Sequence, residues 1–276
     1  MSKTSSLLAL SLISLLGASF FAPNASAALA ILVSSPFTYN FTTDGSLVEA
    51  PSEGQSTSGY WWVNSGARMY LSGGVGKTVT GSLPDNDYWR KLYSSSNPTD
   101  TDNGYHPQNI FRLVGRSSWE NFRQEAYFKI AKDNLSNSPN RNASNGILFF
   151  NRYKDGNNLY YTGLRVDGYA IIKKKVNGAY TTLAKVKVFP GTYHPESNPD
   201  LMPKNKAIGL RSEVTTTDGK VSIKVYTDIG QTGSWKLVAQ AIDDGTKGPV
   251  IQGSGFGGIR TDFMDVSFDQ YKISNI

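Results

Sequence analysis

Apolar and polar positions alternate with a period of two along much of this chain. Residues 122–130 show it plainly: Phe122, Gln124, Ala126, Phe128 and Ile130 share one face, and Arg123, Glu125, Tyr127 and Lys129 the other. Such alternation marks a strand with one side against a core and the other against water. Residues 146–178 repeat the signal as three strands joined by two tight turns, one over 154–158 and one at Asp167-Gly168. Asp-Gly and Asn-rich turns between aromatic or β-branched runs are strong hairpin signals.

Further strands are expected in 31–54, in 59–82 around the turn Asn64-Ser65-Gly66, and at 110–114, 183–188, 207–214, 221–228, 235–241 and 266–273. Residues 85–107 and 190–206 lack apolar periodicity and are expected as long loops, with a glycine-rich bend over 253–258. No stretch carries a helical period. Many short strands with turn residues between them predict an all-β fold, a two-sheet antiparallel β-sandwich in one domain.

The N-terminus changes that picture only at its edge. Lys3, an apolar run over 7–21 and Ala25-Ser26-Ala27 have the form of a secretory signal peptide over 1–28, leaving 29–276 as the folded domain. A secreted protein, extracellular or periplasmic, is expected. No later stretch approaches the ~18 apolar residues of a membrane span. With no cysteine there are no disulfides, and with only two histidines besides, zinc, haem and iron–sulfur chemistry are excluded. The core has to supply the stability.

Lys and Arg number 28 against 22 Asp and Glu, a formal charge of +6, with 18% of residues charged. No like-charge run is long enough for a nucleic-acid arm. The excess suits an anionic polymer as partner, and suits an ordinary basic monomer as well.

Four segments together resemble the concanavalin A-like (laminin-G-like) jelly rolls: 61–66 (WWVNSG), 146–153 (GILFFNRY), 158–168 (NLYYTGLRVDG) and 263–269 (FMDVSFD). The resemblance covers most of 29–276 and implies a jelly roll with a saccharide-binding concave sheet. Lectins, glycoside hydrolases and polysaccharide lyases all belong to that superfamily, so fold does not choose the activity.

The residues narrow the choice. A glycosidase needs two carboxyl groups across a cleft, one of them holding its proton. The E-x-D-x-x-E strand of jelly-roll glycosidases is missing, and Glu125 and Glu213 each have an arginine two residues away, Arg123 and Arg211, which lowers a carboxyl pKa. β-Elimination from a polyuronate instead needs cationic or amide groups on the C6 carboxylate, a base for the C5 proton and an acid for the leaving oxygen. The expected polar faces offer Arg123, Arg165 and Asn151 for the carboxylate, with Glu125, Lys173 and Arg211 completing the binding face. Tyr161 or Tyr153 is the expected acid or base, and His106 the alternative base. Tyr160 falls on the apolar face and belongs to the core.

That inventory is similar in kind to that of the lectin-like alginate and glucuronan lyases. Their R-x-E-x-R strand, Q-x-H pair and Y-F-K-A-G-x-Y ending are missing, so roles follow from face and chemistry alone. The expected function is a secreted lyase acting on an anionic polysaccharide; the alternatives are a non-catalytic lectin-like module and, behind it, a glycoside hydrolase. No cofactor or catalytic metal is expected, although Asp100, Asp102 and Asn103 offer alternate oxygen ligands suited to a structural calcium. Lys173-Lys174-Lys175 would place lysines on both faces, a common guard for an edge strand.

Overall fold

The computed structural model describes residues 26–276, so all but the end of the expected signal peptide lies outside the described residues. In chain order the first strands are β1 (Phe37–Tyr39), β2 (Gly45–Val48), β3 (Trp61–Ser65), β4 (Arg68–Ser72), β5 (Val75–Thr78), β6 (Ile110–Trp119), β7 (Phe122–Asp133) and β8 (Gly146–Asp155). They continue as β9 (Asn158–Arg165), β10 (Tyr169–Val176), β11 (Ala179–Lys187), β12 (Ile208–Thr217), β13 (Lys220–Ile229), β14 (Lys236–Asp243), β15 (Gly255–Asp262) and β16 (Met264–Asn275).

Nine strands form one sheet, in the order β14-β13-β12-β7-β16-β5-β4-β2 with β1 on β16. Seven form the other, β11-β10-β9-β8-β15-β6-β3. Neighbours pair antiparallel, as in β7 with β12 and β8 with β9. The architecture is the two-sheet antiparallel β-sandwich expected from the alternation.

Between the sheets, Phe122, Ala126, Phe128 and Ile130 of β7 belong to one buried cluster with Trp61, Phe111, Ile147, Phe149, Tyr160 and Leu164 of the seven-stranded sheet. Burying a large apolar side chain contributes about 1.5–3 kcal/mol, so a core of this size stands in for the missing disulfides. Tyr160 lies in it, as its face predicts.

A network of paired polar groups lies inside the sandwich. Gln124 Nε2 donates to the Phe150 carbonyl at 2.6 Å and to Asn151 Oδ1 at 2.9 Å. Asn151 Nδ2 donates to Thr162 Oγ1, and Ser212 Oγ to Asn151 Oδ1, each at 2.8 Å. These bonds join the two sheets through the core, where an unpaired amide would be costly.

Four features depart from the sequence reading. Residues within the expected loop 85–107 form a helix, α1 (Tyr88–Ser96), whose N-cap Asp87 accepts from Trp89 N at 2.7 Å and Arg90 N at 3.4 Å. The expected bend at 253–258 opens strand β15 instead. Its glycines serve close packing: a Cβ on Gly258 would lie 2.4 Å from the Leu113 carbonyl oxygen, and one on Gly255 2.6 Å from the Arg152 carbonyl carbon.

Third, β8 carries a bulge between Asn151 and Asp155, with Arg152 at φ 50°. The buried Arg152 guanidinium donates to the carbonyls of Glu120 and Ile251 and to Thr216 Oγ1, and Tyr153 joins Phe150 in a cluster on the other side of the sheet. Fourth, Lys174 is no edge guard. Its side chain is 1% exposed and sits inside the sandwich, 2.9 Å from Asp243 Oδ1.

Candidate functional site

The outer face of the seven-stranded sheet has its own buried aromatic layer of Trp62, Phe150, Tyr153 and Tyr161, against which Phe256 packs. Beside it lies a depression of about 360 Å³ floored by Arg112 (β6), Arg260 (β15), Leu148 (β8), Tyr161 (β9), Ile171 and Lys173 (β10) and Tyr180 (β11). Asp100, Asn140, Asn142, Ser144 and Asn145 rim it. Asp100 ties the rim together by accepting from Ser138 Oγ at 2.6 Å and Asn140 Nδ2 at 2.9 Å.

Strand register makes the floor cationic. Arg260 stands directly opposite Arg112 across the β6–β15 pair, an arrangement that like charges normally disfavour. Asp262 Oδ1 accepts from Arg260 Nε at 2.8 Å. Among the described residues no carboxylate lies within ion-pair distance of Arg112 or Lys173. Burial lowers the Lys173 pKa, and the charges of Arg165, Arg260 and Lys185 lower it further, against an opposing pull from Tyr180. An anion bound here would relieve that crowding.

Two tyrosines face this charge. The Tyr161 and Tyr180 ring centroids are 5.8 Å apart, and the Arg260 guanidinium carbon lies 5.0 Å from the Tyr161 ring centroid. Burial raises the Tyr161 hydroxyl to about 12 despite the opposing Arg260 charge. Burial acts the same way on Tyr180, but the Arg260 charge, hydrogen bonding with Tyr161 and Arg260, and the Lys175 charge outweigh it and bring its pKa below the ordinary tyrosine value. One phenol is thus held protonated and its neighbour is eased toward the phenolate, a division suited to acid and base roles.

The residues singled out from sequence do not form one group. Tyr161 and Lys173 line the depression. Tyr153 shares the face, buried in the aromatic layer. Arg165 donates to Asp167 at 2.8 Å and to the Ala143 carbonyl at 2.9 Å, so its guanidinium is already engaged. Asn151 is fully buried in the core network, facing away from the depression. Arg123, Glu125 and Arg211 lie on the outer face of the opposite sheet, with Arg123 paired to Glu213 and Arg211 to Glu125, each at 2.6 Å. The expectation that Arg123, Asn151 and Arg165 jointly hold one carboxylate is therefore corrected: the sandwich separates them.

His106 does not line the depression. Its Nδ1 is 2.7 Å from Asp102 Oδ2 and its Nε2 2.9 Å from Ser82 Oγ, so both ring nitrogens are engaged. Asp102 also accepts from Ser136 Oγ at 2.5 Å and Asn109 Nδ2 at 3.2 Å.

Sequence reasoning missed Arg112, Arg260 and Tyr180. Arg112 interrupts the outer face Ile110, Arg112, Val114 of a strand that was expected, and that was its signal. Arg260 and Tyr180 were hidden because 253–258 read as a bend and β11 was expected to begin only at 183.

A larger groove of about 880 Å³ runs between α1 and the segment 48–57. Its charges are already committed: Arg68 pairs with Asp87 at 2.6 Å, and Glu49 accepts from Tyr93 Oη at 2.6 Å. Among the described residues no helix is long and apolar enough to cross a membrane.

No protein-family model matches the chain, and no curated protein does. Among solved structures, the carbohydrate-binding module CBM66 from Bacillus subtilis overlaps at a TM-score of 0.49 and 15% identity, over 78% of this chain and 95% of that one. Winged bean acidic lectin, complexed with methyl-α-D-galactose, gives 0.49 and 8% over 86% and 96%. Bacillus licheniformis β-glucanase gives 0.46 and 12% over 87% and 98%. Overlaps this loose carry no functional argument, and the chemistry rests on the site's own residues.

Proposed function

We propose that this protein is a polysaccharide lyase that binds an anionic, uronate-containing polymer on the outer face of the seven-stranded sheet and cleaves it by β-elimination. The observation that carries the reading is the Tyr161–Tyr180 pair, its ring centroids 5.8 Å apart, set against Arg112, Arg260 and Lys173 on the floor of one depression.

The uronate carboxylate binds to Arg112 and Lys173, with Arg260 behind the tyrosines; cationic donors aimed at a carboxylate stabilise the charge that develops as the neighbouring carbon loses its proton. The Tyr180 phenolate oxygen takes the C5 proton, and the released electron pair forms the C4–C5 double bond. The C4–O4 bond breaks, and the Tyr161 hydroxyl protonates the departing oxygen. Tyr180 is left neutral and Tyr161 anionic. The closeness of the two rings, 5.8 Å between centroids, gives the proton a short way back.

The carboxylates beside the depression suit hydrolysis poorly. Burial acts to raise Asp100, but hydrogen bonds from Ser138, Asn140 and Asn97 bring it below the usual range, and Asp262 is bound to Arg260. Asp100 is thus not kept protonated as a glycosidase acid must be, and Asp262 is already engaged.

The test is ultraviolet absorbance of the unsaturated product on incubation with alginate, glucuronan, hyaluronan and pectate. Absorbance rising with at least one polymer is expected. No rise with any of them, together with retained binding on an affinity gel, would replace the lyase with a non-catalytic lectin-like module.

A further inference from the structure

The outer face of the seven-stranded sheet carries a second cationic cluster, away from the depression. Register sets Lys175 opposite Tyr180, Lys173 opposite Thr182, Ile171 opposite Lys185 and Tyr169 opposite Lys187 along β10 and β11. At one end the Lys173 and Lys175 ammonium nitrogens lie 5.8 and 5.0 Å from the Tyr180 ring centroid. At the other, those of Lys185 and Lys187 lie 4.1 and 4.8 Å from the Tyr169 centroid. The same unit, a tyrosine ring holding two ammonium groups by cation–π attraction, therefore occurs twice on one surface.

At about 3.3 Å per residue, the six positions from Tyr169 to Lys175 put the two units roughly 20 Å apart. The distal unit has charge to spare. Asp167 serves Arg165 at 2.8 Å and Lys185 at 3.4 Å, while Lys187 donates to the carbonyls of Asp167 and Gly191. One carboxylate thus stands against three cations, and the Lys185 side chain is 41% exposed. Lysines on an edge strand such as β11 also discourage edge pairing, but that role asks nothing of Tyr169 and does not require the ammonium groups to gather on one ring.

We infer that Tyr169, Lys185 and Lys187 form a distal subsite for a carboxylate-bearing sugar of the same polymer chain whose reacting unit lies between Tyr161 and Tyr180. The inference rests on the proposed function and extends it. The polymer runs along β10 and β11, and the substrate class is one with acidic sugars repeated over several consecutive units.

The experiment compares wild type with Lys185→Ala, Tyr169→Ala and Lys185→Arg, measuring kcat and KM on polymeric alginate and glucuronan and on their oligomers of increasing length. Lys185→Ala and Tyr169→Ala are expected to raise KM for polymer about tenfold, the loss of one charge-assisted contact. Neither should change kcat, nor KM for the shortest oligomers cleaved, and Lys185→Arg should retain wild-type values. A KM change equal at every length, or none at any length, overturns the subsite. Affinity-gel electrophoresis with the same polymers separates this from the lyase reading. If wild type yields no unsaturated product yet is retarded by polymer, weaker retardation of Lys185→Ala still supports the subsite, and equal retardation overturns it.

Discussion

Tyr161 and Tyr180 flank β10 from its two neighbouring strands, their ring centroids 5.8 Å apart, yet their surroundings move the two hydroxyls in opposite directions. Lys173, opposite Tyr161 on one side and Thr182 on the other, lies between their strands. A pair held for packing alone would have no use for this division.

Replacing either hydroxyl should therefore slow turnover without loosening the fold. Tyr180→Phe and Tyr161→Phe are each expected to lower kcat by roughly 100- to 10,000-fold, with KM and melting temperature near wild type. Turnover within a factor of about two of wild type in either variant would remove that tyrosine from the chemistry.

The pH profile follows from the same pair. With Tyr180 as the proposed base, activity should rise with pH through its pKa, which lies below the ordinary tyrosine value of about 10. Activity falls again where Lys173, also lowered, loses its charge or where Tyr161, at about 12, loses its proton. Because the Lys175 charge helps the Tyr180 phenolate, Lys175→Ala should move the ascending limb to higher pH. An ascending limb in the carboxylate or histidine range, unmoved by that substitution, would assign the base elsewhere.

Arg112 offers a test in which function and stability part company. Because it stands directly opposite Arg260, Arg112→Ala relieves like-charge repulsion and should leave the melting temperature unchanged or raised. Activity should fall about 100-fold or more, as expected on losing a cation that stabilises developing charge. A drop in melting temperature with activity intact would make Arg112 a structural residue.

Inside the sandwich the expectation reverses. Lys174 donates to Asp243 at 2.9 and 3.1 Å and to the carbonyls of Gly248 and Pro249, while Tyr160 Oη donates to the same carboxylate at 2.7 Å. Lys174→Met strands a buried carboxylate and is expected to cost about 3–5 kcal/mol in urea denaturation. Lys175→Met, one residue along and on the outer face, should stay within about 0.5 kcal/mol of wild type.

That contrast between adjacent lysines shows how far the sequence could be read. Alternation placed Phe122 to Ile130 and Tyr160 correctly, because apolar side chains declare their face. Asn151 and Lys174 misled because polar residues in this core are satisfied by partners distant in sequence: Gln124, Thr162 and Ser212 for one, Asp243 for the other. Tyr161 and Lys173, read as outward, do line the depression. Arg260 was not, since the glycines that let β15 lie close to its neighbours look like a turn when the neighbours are unseen. α1 went unnoticed because its one strong signal, Asp87 before Tyr88-Trp89, sits in a segment with no apolar stripe long enough to register.

The bulge at Arg152 has a consequence for how the outer face is encoded. Ahead of it, even-numbered residues of β8 point outward, Leu148 and Phe150 among them; after it, the odd-numbered Tyr153 does. The strand changes parity at a single residue, anchored by a guanidinium that binds two carbonyls of the surrounding segments. Without the bulge the same residues would simply go on alternating, swinging Tyr153 toward the core and Lys154 onto the aromatic layer. The composition of that layer is thus written in the spacing of the chain as much as in its residues.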